Sequence, residues 1–178
     1  MASRPDVAVE QERMADIRDM YMAHILMRRE FGLTVDVVRG VGESDVNRAG
    51  QVADHIEFIS GVLHGHHAAE DALLWPKLLD RGSDDVAAVV HVMEGQHEAI
   101  DEANQGIKKE LDPWCGTAAV RHRDGLAGAL ERLNSALVEH TALEEERILP
   151  LAEKYSPRVY ASYAKRLYGT PTPPRSTV

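Results

Sequence analysis

Apolar residues recur every three to four positions along four long segments of the chain, so they fall on one face of an α-helix in each segment. These segments cover, within a residue or two, positions 9–39, 45–79, 83–111 and 117–152. The connections between them are short and each contains glycine or proline: residues 40–43, 81–82 and 113–116. Because short connections favour antiparallel neighbours, the pattern predicts an all-α fold, an up-down-up-down four-helix bundle.

The C-terminal residues are expected to add one short element to this bundle. A Ser-Pro pair at 156–157 is typical of a helix start, and it predicts a short fifth helix that ends near Tyr168. The last ten residues are rich in proline and polar side chains and are expected to form a flexible tail. The predicted organisation is therefore one bundle followed by a short helix and tail, over residues 1–155 and 156–178.

Composition and charge restrict the class of function. Aromatic residues make up only 5% of the 178 residues, which favours helix over sheet. A formal net charge of −9 argues against a nucleic-acid or anionic membrane partner. No apolar run approaches the ~20 residues needed to cross a bilayer, and residues 1–13 are too polar for a signal peptide. The single cysteine excludes an internal disulfide framework and a thiolate-rich metal cluster. We therefore expect a cytoplasmic protein.

Histidines interrupt the apolar faces of all four predicted helices. The chain has nine histidines, and each apolar face contains one of them: His24, His66, His97 and His140. Two of these faces also have a glutamate four residues later, Glu70 and Glu144. Ionisable side chains are rare in a core unless they are paired or bind a metal. One such histidine alone is more often a hydrogen-bonded core residue, whereas four of them together favour a metal site.

An internal repeat links these positions. The second helix contains HHAAEDALLWP from His66 to Pro76, and the fourth contains HTALEEERILP from His140 to Pro150. The two blocks match in four chemically informative places: His66 with His140, Glu70 with Glu144, Asp71 with Glu145, and Pro76 with Pro150. His24 and His97 are separated by nearly the same interval, 73 residues against 74. The repeat predicts that one helix pair has been duplicated.

Helix geometry brings these six side chains to a common level. Residues at i and i+4 share a face, so each paired histidine and glutamate can reach one centre. Counted from the predicted helix ends at ~1.5 Å per residue, the four histidines lie within about two turns of one level. Six nitrogen and oxygen donors are too many for one tetrahedral zinc. They suit two iron or manganese ions better.

The other histidines are expected to lie outside the centre. His67 forms a rival pair with Asp71, but the repeat favours His66, because His66 and His140 both precede a proline by ten residues. We expect His67 on a helix flank, with a seventh ligand or an outer contact as the alternatives. The remaining histidines are assigned to the bundle end or to surface and boundary positions: His55, His64, His91 and His122.

With these motifs, the chain resembles the hemerythrin-like family, also called the HHE cation-binding domain, over residues 13–152. The similarity lies in His24, the two repeat blocks and His97 within EGQHEAI. It implies two non-haem iron ions, held in a four-helix bundle and bridged by two carboxylates and an oxo or hydroxo group. The ligands carried over by matching position are His24, His66, Glu70, His97, His140 and Glu144, with the two glutamates as bridges.

Two departures from the oxygen-carrying members affect the expected function. Those members have a histidine four residues before the third-helix histidine, where this chain has Met93. One iron is then expected to keep a free position, which disfavours reversible oxygen carriage. Oxygen carriers also place the last carboxylate where Glu145 stands, so Glu144 and Glu145 both remain candidates. Tyr21, one turn before His24, is a weaker candidate ligand.

Three functions follow from the resemblance. The first is a binding protein that takes up oxygen, nitric oxide or a related small ligand, in sensing or detoxification. The second is an oxidoreductase that consumes peroxide or nitric oxide at the same site with an unidentified electron donor. The third, ferritin-like iron oxidation or storage, fits less well, because that class uses more inward glutamates and Glu-x-x-His pairs.

Overall fold

A computed structural model describes residues 17–155, and these residues form six helical segments. In chain order the segments are α1 Arg18–Arg39, α2 Val46–Leu73, α3 Trp75–Arg81, α4 Asp84–Thr117, α5 Val120–Arg147 and α6 Leu149–Tyr155. The four long helices form a ring in which α1 and α4 each pack against both α2 and α5. No strand occurs in this part of the chain. The predicted all-α four-helix bundle is therefore confirmed.

The second and fourth predicted helices are each interrupted once. We expected continuous helices over residues 45–79 and 117–152, but helical hydrogen bonding breaks at Leu74 and again at Ile148. The cause is the proline two residues later in each case, Pro76 and Pro150, because proline lacks an amide N–H and its ring crowds the carbonyl four residues back. Both breaks fall at equivalent positions of the repeat, so the duplication extends to the backbone.

The expected connection at residues 113–116 is wrong, because α4 continues through Pro113 to Thr117. Trp114 is completely buried, and Cys115, expected in a loop, is half-buried against the same core. The Thr117 hydroxyl donates to the Pro113 carbonyl at 2.6 Å. Burial of Trp114 thus stabilises the last helical turn of α4 despite the proline. The chain turns at Ala118, which has a left-handed φ of 48°.

A polar layer divides the apolar core into two clusters. The larger cluster fills one end of the bundle, from Met27 and Leu63 down to Trp114. The smaller cluster lies beyond the layer and includes Met93 and residues of α3 and α6. The layer between them contains the predicted histidines and glutamates, one or more from every long helix.

Several expectations lie outside the described residues. These are the predicted helical turns before residue 17, the short fifth helix and the C-terminal tail. Among the residues that the structure describes, no helix combines the length and apolar character needed to cross a membrane.

Candidate metal centre

All six predicted ligands lie in the polar layer and are at most 4% exposed. Their donor atoms form two groups in which every atom lies within 4.8 Å of the others. One group contains His24, His66, Glu70 and Glu144, and the other contains His67, Glu70, His97 and His140. Glu70 belongs to both groups. The structure thus brings the six predicted residues together and adds His67 to them.

Both carboxylates lie between the two groups. The Glu70 oxygens are 3.2 Å from His66 Nε2 and 3.4 Å from His97 Nε2. Glu144 Oε2 is 3.2 Å from His24 Nε2 and 3.6 Å from His140 Nε2. Each glutamate therefore contacts one histidine of each group, which is the placement that a carboxylate needs in order to bridge two ions.

Two further carboxylates orient histidines from outside the layer. His24 Nδ1 is 3.0 Å from Glu145 Oε1, and His97 Nδ1 is 2.8 Å from Asp71 Oδ1. A carboxylate only accepts hydrogen bonds, so Nδ1 donates in both contacts. In a neutral ring, Nε2 then faces the layer with its lone pair free for a metal. Glu145 and Asp71 are matching positions of the repeat, so the device occurs twice.

Different residues anchor these two outer carboxylates. Arg28 Nη1 donates to Glu145 Oε1 at 2.8 Å, whereas Trp75 Nε1 donates to Asp71 Oδ1 at 2.8 Å. This difference distinguishes Glu144 from Glu145, the two candidate bridging carboxylates on α5. Glu144 is completely buried among the inward donors, and the Glu145 side chain is 23% exposed and bonded to Arg28.

The electrostatic environment favours the metal-binding protonation states of His66, His140 and Glu144, whereas it favours the protonated form of His24. Burial lowers the pKa of His66 to about 3 and that of His140 to about 4. Burial acts against charge on Glu144, but His24 and the other nearby histidines outweigh it and lower the Glu144 pKa to about 2. Burial also opposes charge on His24, although Glu144 and Glu145 together raise its pKa. Neutral imidazoles and an ionised carboxylate are the metal-binding forms of these side chains.

Several inward atoms have no hydrogen-bond partner in the part of the chain that the structure describes. They are Nε2 of three histidines and both carboxylate oxygens of one glutamate, from His24, His97, His140 and Glu144. Buried polar atoms without a partner cost about 1–3 kcal/mol each. A metal ion would satisfy these atoms, so the residues fit the metal centre that the resemblance implies.

Some residues of the site were missed by the sequence analysis. His67 is 4% exposed and lies within the layer, not on a helix flank. Gln96 was missed as well: its side-chain Oε1 accepts a hydrogen bond from His140 Nδ1 at 3.1 Å. The match of Asp71 with Glu145 in the repeat was the available signal for the outer carboxylates. No such signal marked Gln96 or Arg28.

The weaker candidates have other surroundings. Tyr21 is partly buried and packs against the smaller apolar cluster. The side chains of His64 and His91 are each 67% exposed, and His122 lies at the boundary, 2.9 Å from Glu110. His55 is half-exposed beside Glu30. His64, His91 and His122 thus occupy the surface and boundary positions predicted for them, and His55 lies in neither donor group.

Comparison with known proteins agrees with this geometry. A search of curated proteins and a search of solved structures each found no match to the chain. The sequence model of one family, described as the hemerythrin HHE cation binding domain, matches residues 15–152. That range includes all four long helices and every residue of the polar layer. The chain therefore belongs to the hemerythrin HHE cation-binding domain family.

Proposed function

We propose that the protein binds two non-haem iron ions in the polar layer and uses them to take up a small ligand such as dioxygen or nitric oxide. The observation behind this proposal is the pair of buried donor groups that share Glu70, with Glu144 also in contact with both groups. One ion would occupy each group, and the two carboxylates would bridge them.

The donor chemistry favours iron over zinc. Every inward donor is an imidazole nitrogen or a carboxylate oxygen, and Cys115 lies at the far end of α4 against the larger apolar cluster. Structural zinc sites are tetrahedral and closed by four ligands. Mixed nitrogen and oxygen donors in a set larger than four suit iron or manganese. The bound ions would supply redox chemistry, while the histidines and glutamates hold them in an environment with little water.

Burial of the layer limits the size of the ligand. The inward residues are at most 4% exposed, and apolar clusters cover the layer on both sides. A small, weakly hydrated molecule can enter such an environment without displacing many packed side chains, whereas a bulky organic substrate would require the helices to separate. This is why we propose a diatomic ligand, with peroxide as the next candidate.

Metal content and spectrum test the proposal. Protein purified without added metal should contain about two irons per chain and absorb in the near ultraviolet through oxo-to-iron charge transfer. Nitric oxide or azide should then change the spectrum with saturation at one stoichiometric equivalent per site. A single zinc ion per chain, or no bound metal after growth with ample iron, would refute the two-iron proposal.

The same preparation distinguishes a binding protein from an enzyme. Hydrogen peroxide should be added in large excess and its consumption followed against a sample stripped of metal. Stable ligand adducts with negligible consumption support the binding function. Many turnovers per iron pair would replace it with the oxidoreductase function at the same site.

A further inference from the structure

His67 lies among the metal donors although neither the repeat nor the resemblance assigns it a role. It is 4% exposed, and its donor atoms lie within 4.8 Å of those of Glu70, His97 and His140. Its ring stacks on that of His97, with centroids 4.0 Å apart and an angle of 11° between planes. It also meets the His140 ring edge-on at 5.0 Å.

No residue in the described range of 17–155 satisfies the polar atoms of this ring. Both His67 nitrogens are buried and have no hydrogen-bond partner there. A histidine kept in a core for structural reasons normally bonds through at least one nitrogen, because an unsatisfied buried polar atom destabilises the folded state. The matching position of the repeat, Thr141, shows the contrast. Its hydroxyl donates to the Leu137 carbonyl at 2.8 Å and accepts from Arg28 at 2.8 Å.

Helix geometry explains how α2 can serve both donor groups. Successive residues of a helix point about 100° apart, so His66 and His67 face different neighbours. His66 joins the group that contains His24, and His67 joins the group that contains His97. Glu70 follows them at i+4 and i+3, the two spacings at which helical side chains are neighbours. The glutamate shared by the two groups thus lies beside both histidines.

On α4, the position one turn before His97 has no nitrogen donor. Met93 lies one turn before His97 on α4, is completely buried, and packs in the smaller apolar cluster. Its thioether is a poor ligand for ferric iron. Without His67, the group would contain two imidazoles, from His97 and His140, and the shared glutamate.

We propose that His67 is a seventh metal ligand, which binds the ion held by His97 and His140 and replaces the donor that Met93 does not supply. This assignment rests on the proposed two-iron function. It gives three imidazoles to one ion and two to the other, so the two positions differ in donor set. The ion beside His24 and His66 then has fewer protein ligands.

The test compares His67→Leu and His67→Thr with wild type, and uses His64→Thr as the control. Leucine is apolar and of similar reach, and threonine reproduces the residue at the matching repeat position. His64 lies on the same helix with its side chain 67% exposed. Iron per chain, iron affinity by chelator competition under argon, and thermal unfolding with and without iron are measured for each protein.

We expect both His67 variants to bind the second iron at least about 100-fold more weakly, the upper end of the loss seen even for outer-shell changes. Without metal, His67→Leu should unfold at the wild-type temperature or above it, because it removes two unsatisfied nitrogens. With iron, it should unfold below wild type. His64→Thr should match wild type in both states.

Two results would overturn the assignment while leaving the two-iron function intact. One is two irons per chain with affinity within threefold of wild type in both variants. The other is strong destabilisation of both variants without metal, which would make the ring structural. Wild-type protein that fails to bind two irons would instead refute the proposed function itself.

Discussion

The hydrogen bond between Asp71 and His97 allows a sharp test of how the outer carboxylates act. Asp71 Oδ1 accepts from His97 Nδ1 and from Trp75 Nε1, both at 2.8 Å. It therefore fixes the orientation of the imidazole and the nitrogen that carries the proton. We consider two substitutions, Asp71→Ala, which removes the acceptor, and Asp71→Asn, which keeps an acceptor oxygen but removes the charge.

The expected loss follows from the exposure of this pair. Changes to the outer partners of metal-binding histidines typically cost 10–100-fold in metal affinity, or about 1.4–2.7 kcal/mol. The Asp71 side chain is 51% exposed, so solvent screens its charge. Asp71→Asn should therefore fall near the lower limit, about tenfold. Asp71→Ala also releases the ring orientation and should approach the upper limit, about 100-fold.

The assay is ferrous iron affinity by chelator competition under argon, with circular dichroism to confirm that each variant is folded. Asp54→Asn and Asp54→Ala are the matched controls, because Asp54 is an exposed aspartate of the same helix. They should leave iron affinity unchanged. Affinity within threefold of wild type for Asp71→Ala would show that the orientation of His97 does not depend on Asp71.

Three further predictions concern the ligands, acid and the core. His140→Ala and Glu70→Ala should each lose most of the bound iron and lower the melting temperature of the iron-loaded protein. The control His122→Ala should keep full iron. Full iron in all three variants would refute the ligand assignment. The metal-free protein should lose stability in acid, as measured by urea unfolding at pH 7, 6 and 5. Its folded state keeps His66 and His140 neutral, with pKa values of about 3 and about 4, while the unfolded chain takes up protons below 6.5. The free energy of unfolding falls by about 1.4 kcal/mol per pH unit for each of these two histidines between pH 6.5 and 4. The raised pKa of His24 adds stability that is fully present below pH 6.5, so it does not change this slope. Unchanged stability between pH 6 and pH 5 would contradict these shifts. Trp114→Ala should cost about 3–5 kcal/mol in urea unfolding without altering iron content, because Trp114 is fully buried at the end of the bundle away from the layer; a loss of iron would show coupling between the two.

The positions of the six predicted donors followed from periodicity because a helix has a fixed rise and a fixed angle per residue. His97 on its apolar face could be placed from spacing alone, and the repeat placed Glu144 by analogy with Glu70. The structure puts all three in the layer. Helical periodicity was therefore enough to predict both the fold class and the position of the site along the bundle.

The features that sequence analysis missed depend on contacts between helices. His67 looked peripheral because its repeat partner is a threonine, and only the placement of α4 and α5 shows that the ring points at His97 and His140. Pro113 looked like a helix end, since its local cost is clear in the sequence. The burial of Trp114 that outweighs this cost is a tertiary effect.

The division of the apolar core by the polar layer has a consequence for how a metal ion would enter and leave. Without metal, the layer is a weak junction between two packed units, because some of its inward atoms, including both His67 nitrogens, have no hydrogen-bond partner among the described residues. The unit beyond it contains the smaller cluster, including the short helices α3 and α6. Regions with few stabilising contacts open locally at lower free energy than the whole fold, so this end should exchange its amide hydrogens faster than the other. Such opening would give a metal ion a transient path to the donors without a permanent channel. If two irons bind as proposed, they would join the two units, and the same opening would then be the slow step that limits iron release.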